Sequence, residues 1–311
     1  MFKLINVEFY KLMRRWLPYV LLSLLILIIV LTKIGPYSSY VNFKSRNPDV
    51  QIQPGATTIT ATNTPIGTIT FPGSTGQPFP GGIQIGFFDV GPLVLPGAMD
   101  GVLGAIMGFG AILVIILAAQ VVGTEYSWGT LRQTLIKGVS RPKFLITKFL
   151  SLALAILAGV VIALIAGFII GMVTTRLVEG GISWSFMTWG YIGSLLANVA
   201  RVLLVIGIYL ALAVLVCVLL RSAGTGLALG LGLYFADSII SALAMSSSGM
   251  LKEIFRFGIG YNVQQFTASS SMTNLQQVIR PLWQSSGILV AYGVVFVALA
   301  FYALRRQDLT A

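Results

Sequence analysis

Histidine is absent from all 311 residues, and cysteine occurs once. The first absence removes histidine general bases, histidine metal ligands and histidine haem ligation. The second removes any intramolecular disulfide, and Cys217 inside an apolar run reads as a small buried hydrophobe. Charge is equally scarce, at 9% of the chain, where soluble domains carry about 25%. No Gly-x4-Gly-Lys-Ser/Thr loop is present, so an ATP site of that type is excluded. No pair of acids has the spacing of general acid–base catalysis, and no convincing metal or catalytic constellation stands out.

What is present is hydrophobic. Apolar residues make up 56% of the chain, and mean hydropathy is +0.90. A helix needs about 20 apolar residues to cross the roughly 30 Å core of a bilayer. Six runs come close: 16–34, 102–123, 149–174, 202–220, 223–245 and 287–304. Backbone polar groups cannot be left unpaired in lipid, so each run is read as a helix. The expected fold class is an all-α polytopic membrane protein with six transmembrane helices. It is expected to form a single domain over 1–311. The basic start followed by Leu17 to Leu31 is similar to a secretory signal, but no small-residue cleavage pattern follows, so an uncleaved first span is expected.

The net charge of +11 could suggest nucleic acid. Its distribution fits membrane topology better. With a cytoplasmic N-terminus, twelve Lys and Arg fall on inner segments and seven on outer ones. That bias predicts a multi-pass protein of the cytoplasmic (plasma) membrane with both termini cytoplasmic, and no nucleic-acid partner.

Residues 1–15 have another pattern. Ile5, Phe9, Leu12, Met13 and Trp16 repeat at helical spacing, with Lys3, Lys11, Arg14 and Arg15 mostly off that face. An amphipathic helix lying in the membrane interface is expected, with Trp16 at headgroup level and basic residues toward anionic lipid. The first outer loop, 35–100, has no charge from Val50 to Phe88. Its Thr-rich stretches and prolines fit a small β-rich cap or an irregular loop equally well. The outer region 246–286 reads as short interfacial or re-entrant helices. The spacings Gly167-x3-Gly171 and Gly226-x3-Gly230 point to close helix packing.

Two ionisable residues fall at membrane depth, Arg201 and Asp237. A charge there costs about 2.5–3.5 kcal/mol on the insertion scale, so it tends to find a partner. Counted from Arg221, the two heights differ by roughly 6 Å at 1.5 Å per residue. An ion pair between them is one expectation; a substrate contact and an exposed Arg201 are the others.

Against this apolar background, six charged residues fall within 125–148, and five are basic. The segment runs Glu125-Tyr126-Ser127-Trp128-Gly129-Thr130-Leu131-Arg132, then Ser140-Arg141-Pro142-Lys143 and Lys148. Thr130 is placed to N-cap a short helix that Gly138 would end, and Pro142 is tolerated in the first turn of the next. The expected form is a stiff elbow, 124–148, joining two spans.

Glu125-x3-Gly129-Thr130-Leu131-Arg132, with basic Ser140-Arg141 before the next span, resembles the permeases of type-2 ATP-binding-cassette exporters. The amphipathic start with Glu8 and Lys11-Leu12 and the ending Arg305-Arg306-Gln307-Asp308-Leu309 extend the match to nearly the whole chain. The resemblance implies a non-catalytic subunit that pairs with a second permease, the same chain or a homologue. ATP and Mg would be bound by separate cytoplasmic ATPase subunits. Those would grip Glu125, Tyr126, Gly129, Thr130, Leu131, Arg132, Arg141 and Lys143 as a coupling surface, together with the N-terminal helix. The long uncharged outer loop departs from the commoner pattern. The rival readings are a membrane scaffold that recruits partners without transport, and an ion-coupled carrier, which Asp237 alone would have to serve.

Overall fold

A computed structural model describes residues 2–46, 58–61, 86–130, 133, 136, 140–246, 255–270 and 282–307. Eight helices cover most of them. A short first helix, α1 (Phe2–Met13), precedes α2 (Trp16–Arg46). Next come α3 (Gly97–Ser127), α4 (Arg141–Glu179), α5 (Trp189–Leu220) and α6 (Ala223–Ser246). The last two are α7 (Ile259–Ser270) and α8 (Leu282–Arg306). Six of these, α2 to α6 and α8, are long and apolar enough to cross a membrane.

The spans stand where the apolar runs predict, but most are longer. At 39 residues, α4 extends about 58 Å, nearly twice the hydrocarbon thickness. Polar residues at its ends continue the helix because nothing in Arg141–Lys148 or Thr174–Glu179 breaks it. It stops at Gly180, whose φ of +73° is easy only for glycine and whose N–H bonds the Arg176 carbonyl at 3.0 Å. The segment expected as a loop over 35–100 is shorter, because α2 runs on to Arg46 and α3 starts at Gly97; between them two strands, β1 (Thr58–Ala61) and β2 (Gly86–Asp89), pair antiparallel with Thr58 opposite Asp89.

The chain divides into two compact units. The first comprises 1–25, 106–162 and 197–311. Its best buried wall is α5, where Val205, Ile206, Ala213, Val214, Cys217 and Val218 are almost wholly enclosed. Small residues let helices close on it. A Cβ on Gly226 would stand 2.7 Å from the Cys217 sulfur, and one on Gly230 would stand 3.0 Å from Ile115. Helix α7 packs against α6 and α8. Its first turn meets Asp237 of α6, whose carboxylate accepts the Gly260 N–H. A helix N-terminus favours an anion there.

The second unit comprises 26–105 and 163–196. Tyr40, Val90, Leu93, Val94 and Val178 form one apolar cluster; Leu95, Ala98 and Met99 form another with Leu164, Phe168 and Met172. The buried turn leading into α3 has its backbone groups satisfied by side chains. Thr175 Oγ1 accepts the Leu95 N–H at 2.9 Å, and Thr174 Oγ1 donates to the Leu93 carbonyl at 2.5 Å. Lys33 Nζ donates to the carbonyls of Pro92 and Ala98, both at 2.8 Å. Gly167 and Gly171 of α4 lie against Val102 and Leu95.

Candidate coupling site

The lower turns of α3 lead into the site. Ala119–Gly123 form a π-helical segment, with one more α turn from Thr124 to Ser127. Such segments insert a residue into the ladder and often occur at functional positions. Gly123 is pressed on the start of α6: a Cβ there would stand 2.5 Å from Ala223 Cα. Ser127 Oγ accepts the Ala223 N–H at 3.3 Å.

Glu125 projects from this last turn toward Lys148 of α4. The Lys148 side chain is 4% exposed and pairs with two carboxylates, Glu125 and Glu8. Glu8 belongs to α1 and also pairs with Lys11 at 3.1 Å. One buried ammonium therefore ties α1, the end of α3 and the start of α4. Burial alone would raise the Glu8 pKa, but Lys148 and Lys11 outweigh it and hold its carboxyl below the ordinary 4.5.

The chain reverses at Gly129. Its φ is +68°, and its N–H bonds the Tyr126 carbonyl at 3.2 Å. Thr130 already has helical backbone, and its hydroxyl donates to the Glu125 carbonyl at 3.4 Å. The helix thus starts one residue earlier than an N-cap at Thr130 requires. A cap needs extended backbone, and Gly129 makes the reversal first. Helical backbone recurs at Gln133 and Ile136, and Ile136 is exposed. Leu131 and Arg132 lie outside the described residues. Tyr126 is half-buried, and its hydroxyl has no hydrogen-bond partner among them.

Arg141 starts α4 and is occupied. Its Nη1 donates to the carbonyls of Leu304, Arg305 and Gln307 at 3.3, 3.0 and 2.8 Å. A cation there satisfies the orphan carbonyls ending α8. Gln307 in turn donates to the Val218 carbonyl at 2.6 Å. Lys143 is exposed. Sequence reasoning identified Glu125 but not its partners. Glu8 was legible as the one acid in a basic N-terminal segment and as part of the family resemblance, but its contact with Lys148 crosses 140 residues.

Two further expectations need correction. Trp16 does not continue the apolar face of the first helix. That helix ends at Met13, Ile5 and Phe9 are partly buried and Leu12 is buried, while Trp16 opens α2 at 86% exposure. Arg201 and Asp237 do not pair. Arg201 bonds Asn198 Oδ1 at 2.8 Å, and Asp237 accepts from Tyr209 at 3.3 Å. The residue count misjudged both height and side. Arg201 lies eight residues before Tyr209, about 12 Å along α5 and turned about 80° from the side facing Asp237.

Six membrane-length helices define a multi-pass membrane protein, in which a buried ionic junction joins α1 to two of the six, α3 and α4. A family model described as ABC-2 family transporter protein matches residues 3–309, and the chain belongs to that family. It is the membrane subunit of a transporter, in a family whose permeases typically work with an ATPase subunit. Among curated proteins, no match to the sequence is found.

Proposed function

We propose that this chain is the permease of an ATP-driven export system and that 125–143 is its contact with separate cytoplasmic ATPase subunits. Lys148 carries the argument. It binds a carboxylate of the α3 end and one of α1, so displacement of the elbow would move α1, α3 and α4 together. An ATPase dimer that closes on ATP would tilt these helices as a rigid group and switch access across the bilayer. That requires the ATPase to prefer one position of the elbow. Exposed Lys143, Ile136 and Trp128 supply contact surface. Arg141 would act indirectly, by holding the end of α8 against the base of α4. A second permease, the same chain or a homologue, would complete the pathway.

Co-purification with an ATPase that carries a phosphate-binding loop tests this reading. The exporter predicts a stable complex whose ATP hydrolysis rises when its cargo is added. A complex whose hydrolysis ignores every transported compound supports a scaffold instead.

A further inference from the structure

Alongside α1 the first unit holds a half-open cavity of about 230 Å³. Phe9 and Met13 of α1 line it together with Leu22, Leu113, Gly159 and Ile206. The lining is almost entirely apolar. Gly159 has nothing within 4 Å of where a Cβ would stand, so the space is open to a substituent there. Apolar cavities stay dry, and one of about 150 Å³ accepts benzene. In a membrane-spanning chain the apolar material at hand is lipid acyl chain.

The cavity's own lining carries no charged residue, but charge lies next to it in the chain. Arg14, Arg15 and Trp16 stand between two lining residues, Met13 and Pro18. Both arginines are exposed, and neither forms a salt bridge among the described residues. The nearby cations Lys11 and Lys148 are engaged by Glu8 and Glu125. Two exposed guanidinium-bearing residues therefore follow directly on the lining residue Met13. Guanidinium groups bind phosphate in a bidentate fork, and an exposed tryptophan marks headgroup depth.

We propose that this cavity holds one acyl chain of an anionic phospholipid, with the lipid phosphate on Arg14 and Arg15. The lipid would wedge between α1 and the spans, and Glu8 would pass its presence to the coupling junction. The binding site rests on the membrane-spanning assignment alone; only its effect on the junction rests on the exporter reading.

Native mass spectrometry of the full chain tests the site, after extraction from vesicles of equal phosphatidylglycerol and phosphatidylcholine. The wild type should retain one phosphatidylglycerol per chain in preference to phosphatidylcholine. Gly159→Leu should fill the slot and lose retained lipid of both kinds. Arg14→Gln/Arg15→Gln, at exposed positions that leave the fold intact, should keep a lipid but lose the headgroup preference. Unchanged retention in folded Gly159→Leu overturns the slot. An unchanged preference in the double variant overturns the phosphate contact. Neither result bears on ATPase binding.

Discussion

Lys148 sits between two carboxylates that lie 140 and 23 positions away in the sequence. Removing a buried partner leaves uncompensated charge, and breaking such pairs costs about 3–5 kcal/mol. Lys148→Met should therefore lower stability in detergent by about 3 kcal/mol, read from denaturant unfolding. Adding Glu8→Gln and Glu125→Gln should recover much of that loss. A small single-variant effect would show that the junction is not held by charge. The pH dependence follows from Glu8. Its folded-state pKa lies below the unfolded one, so its contribution is full above the unfolded value and is lost as pH falls through the folded one. Acidifying from pH 6 to below 4 should destabilise the wild type more than Glu8→Gln, measured by thermal unfolding across that window. The sequence displays Lys148 as one of five basic residues in the elbow segment. It does not reveal which is buried, because that depends on where α1 lies.

At the scale of elements, the spans were legible and their ends were not. Apolar runs define the stretch that must lie in lipid, whereas α2 and α4 continue as helices through polar residues that solvent tolerates equally well. The Arg201–Asp237 expectation failed for a related reason. A count of residues along two helices treated as equally tilted misjudges height, and the side of the helix depends on packing that places Tyr209 toward Asp237. The glycine spacings were more reliable, because a missing side chain fits few purposes in a helix other than close approach. Gly123 is the sharpest case after those spacings. Its missing Cβ lets α3 touch the first turn of α6. Gly123→Ala should force the two apart and cost about 1–3 kcal/mol. Faster hydrogen exchange at the Ala223 amide, which Ser127 holds, would accompany the loss. An unchanged exchange rate there would mean that the contact is not maintained.

For the whole molecule, family membership makes the chain a transporter's membrane subunit. The arrangement of charge proposes how such a subunit receives movement. Glu125 and the elbow drew attention in the sequence because charge is rare elsewhere. The structure adds that α1 and α4 share the same ionic junction. The cargo leaves no comparable mark, since the long uncharged segment 50–88 carries few groups whose chemistry would select a ligand. The central claim is that force enters through the elbow. It is tested most directly by transport-coupled ATP hydrolysis of the reconstituted complex bearing Gly129→Pro or Leu131→Asp. Gly129→Pro removes a positive-φ residue and the N–H bonded to Tyr126, and Leu131→Asp places charge on the proposed contact. Normal membrane insertion with cargo-stimulated hydrolysis reduced to the basal rate is the predicted result. Normal insertion with full stimulation in both variants would contradict it.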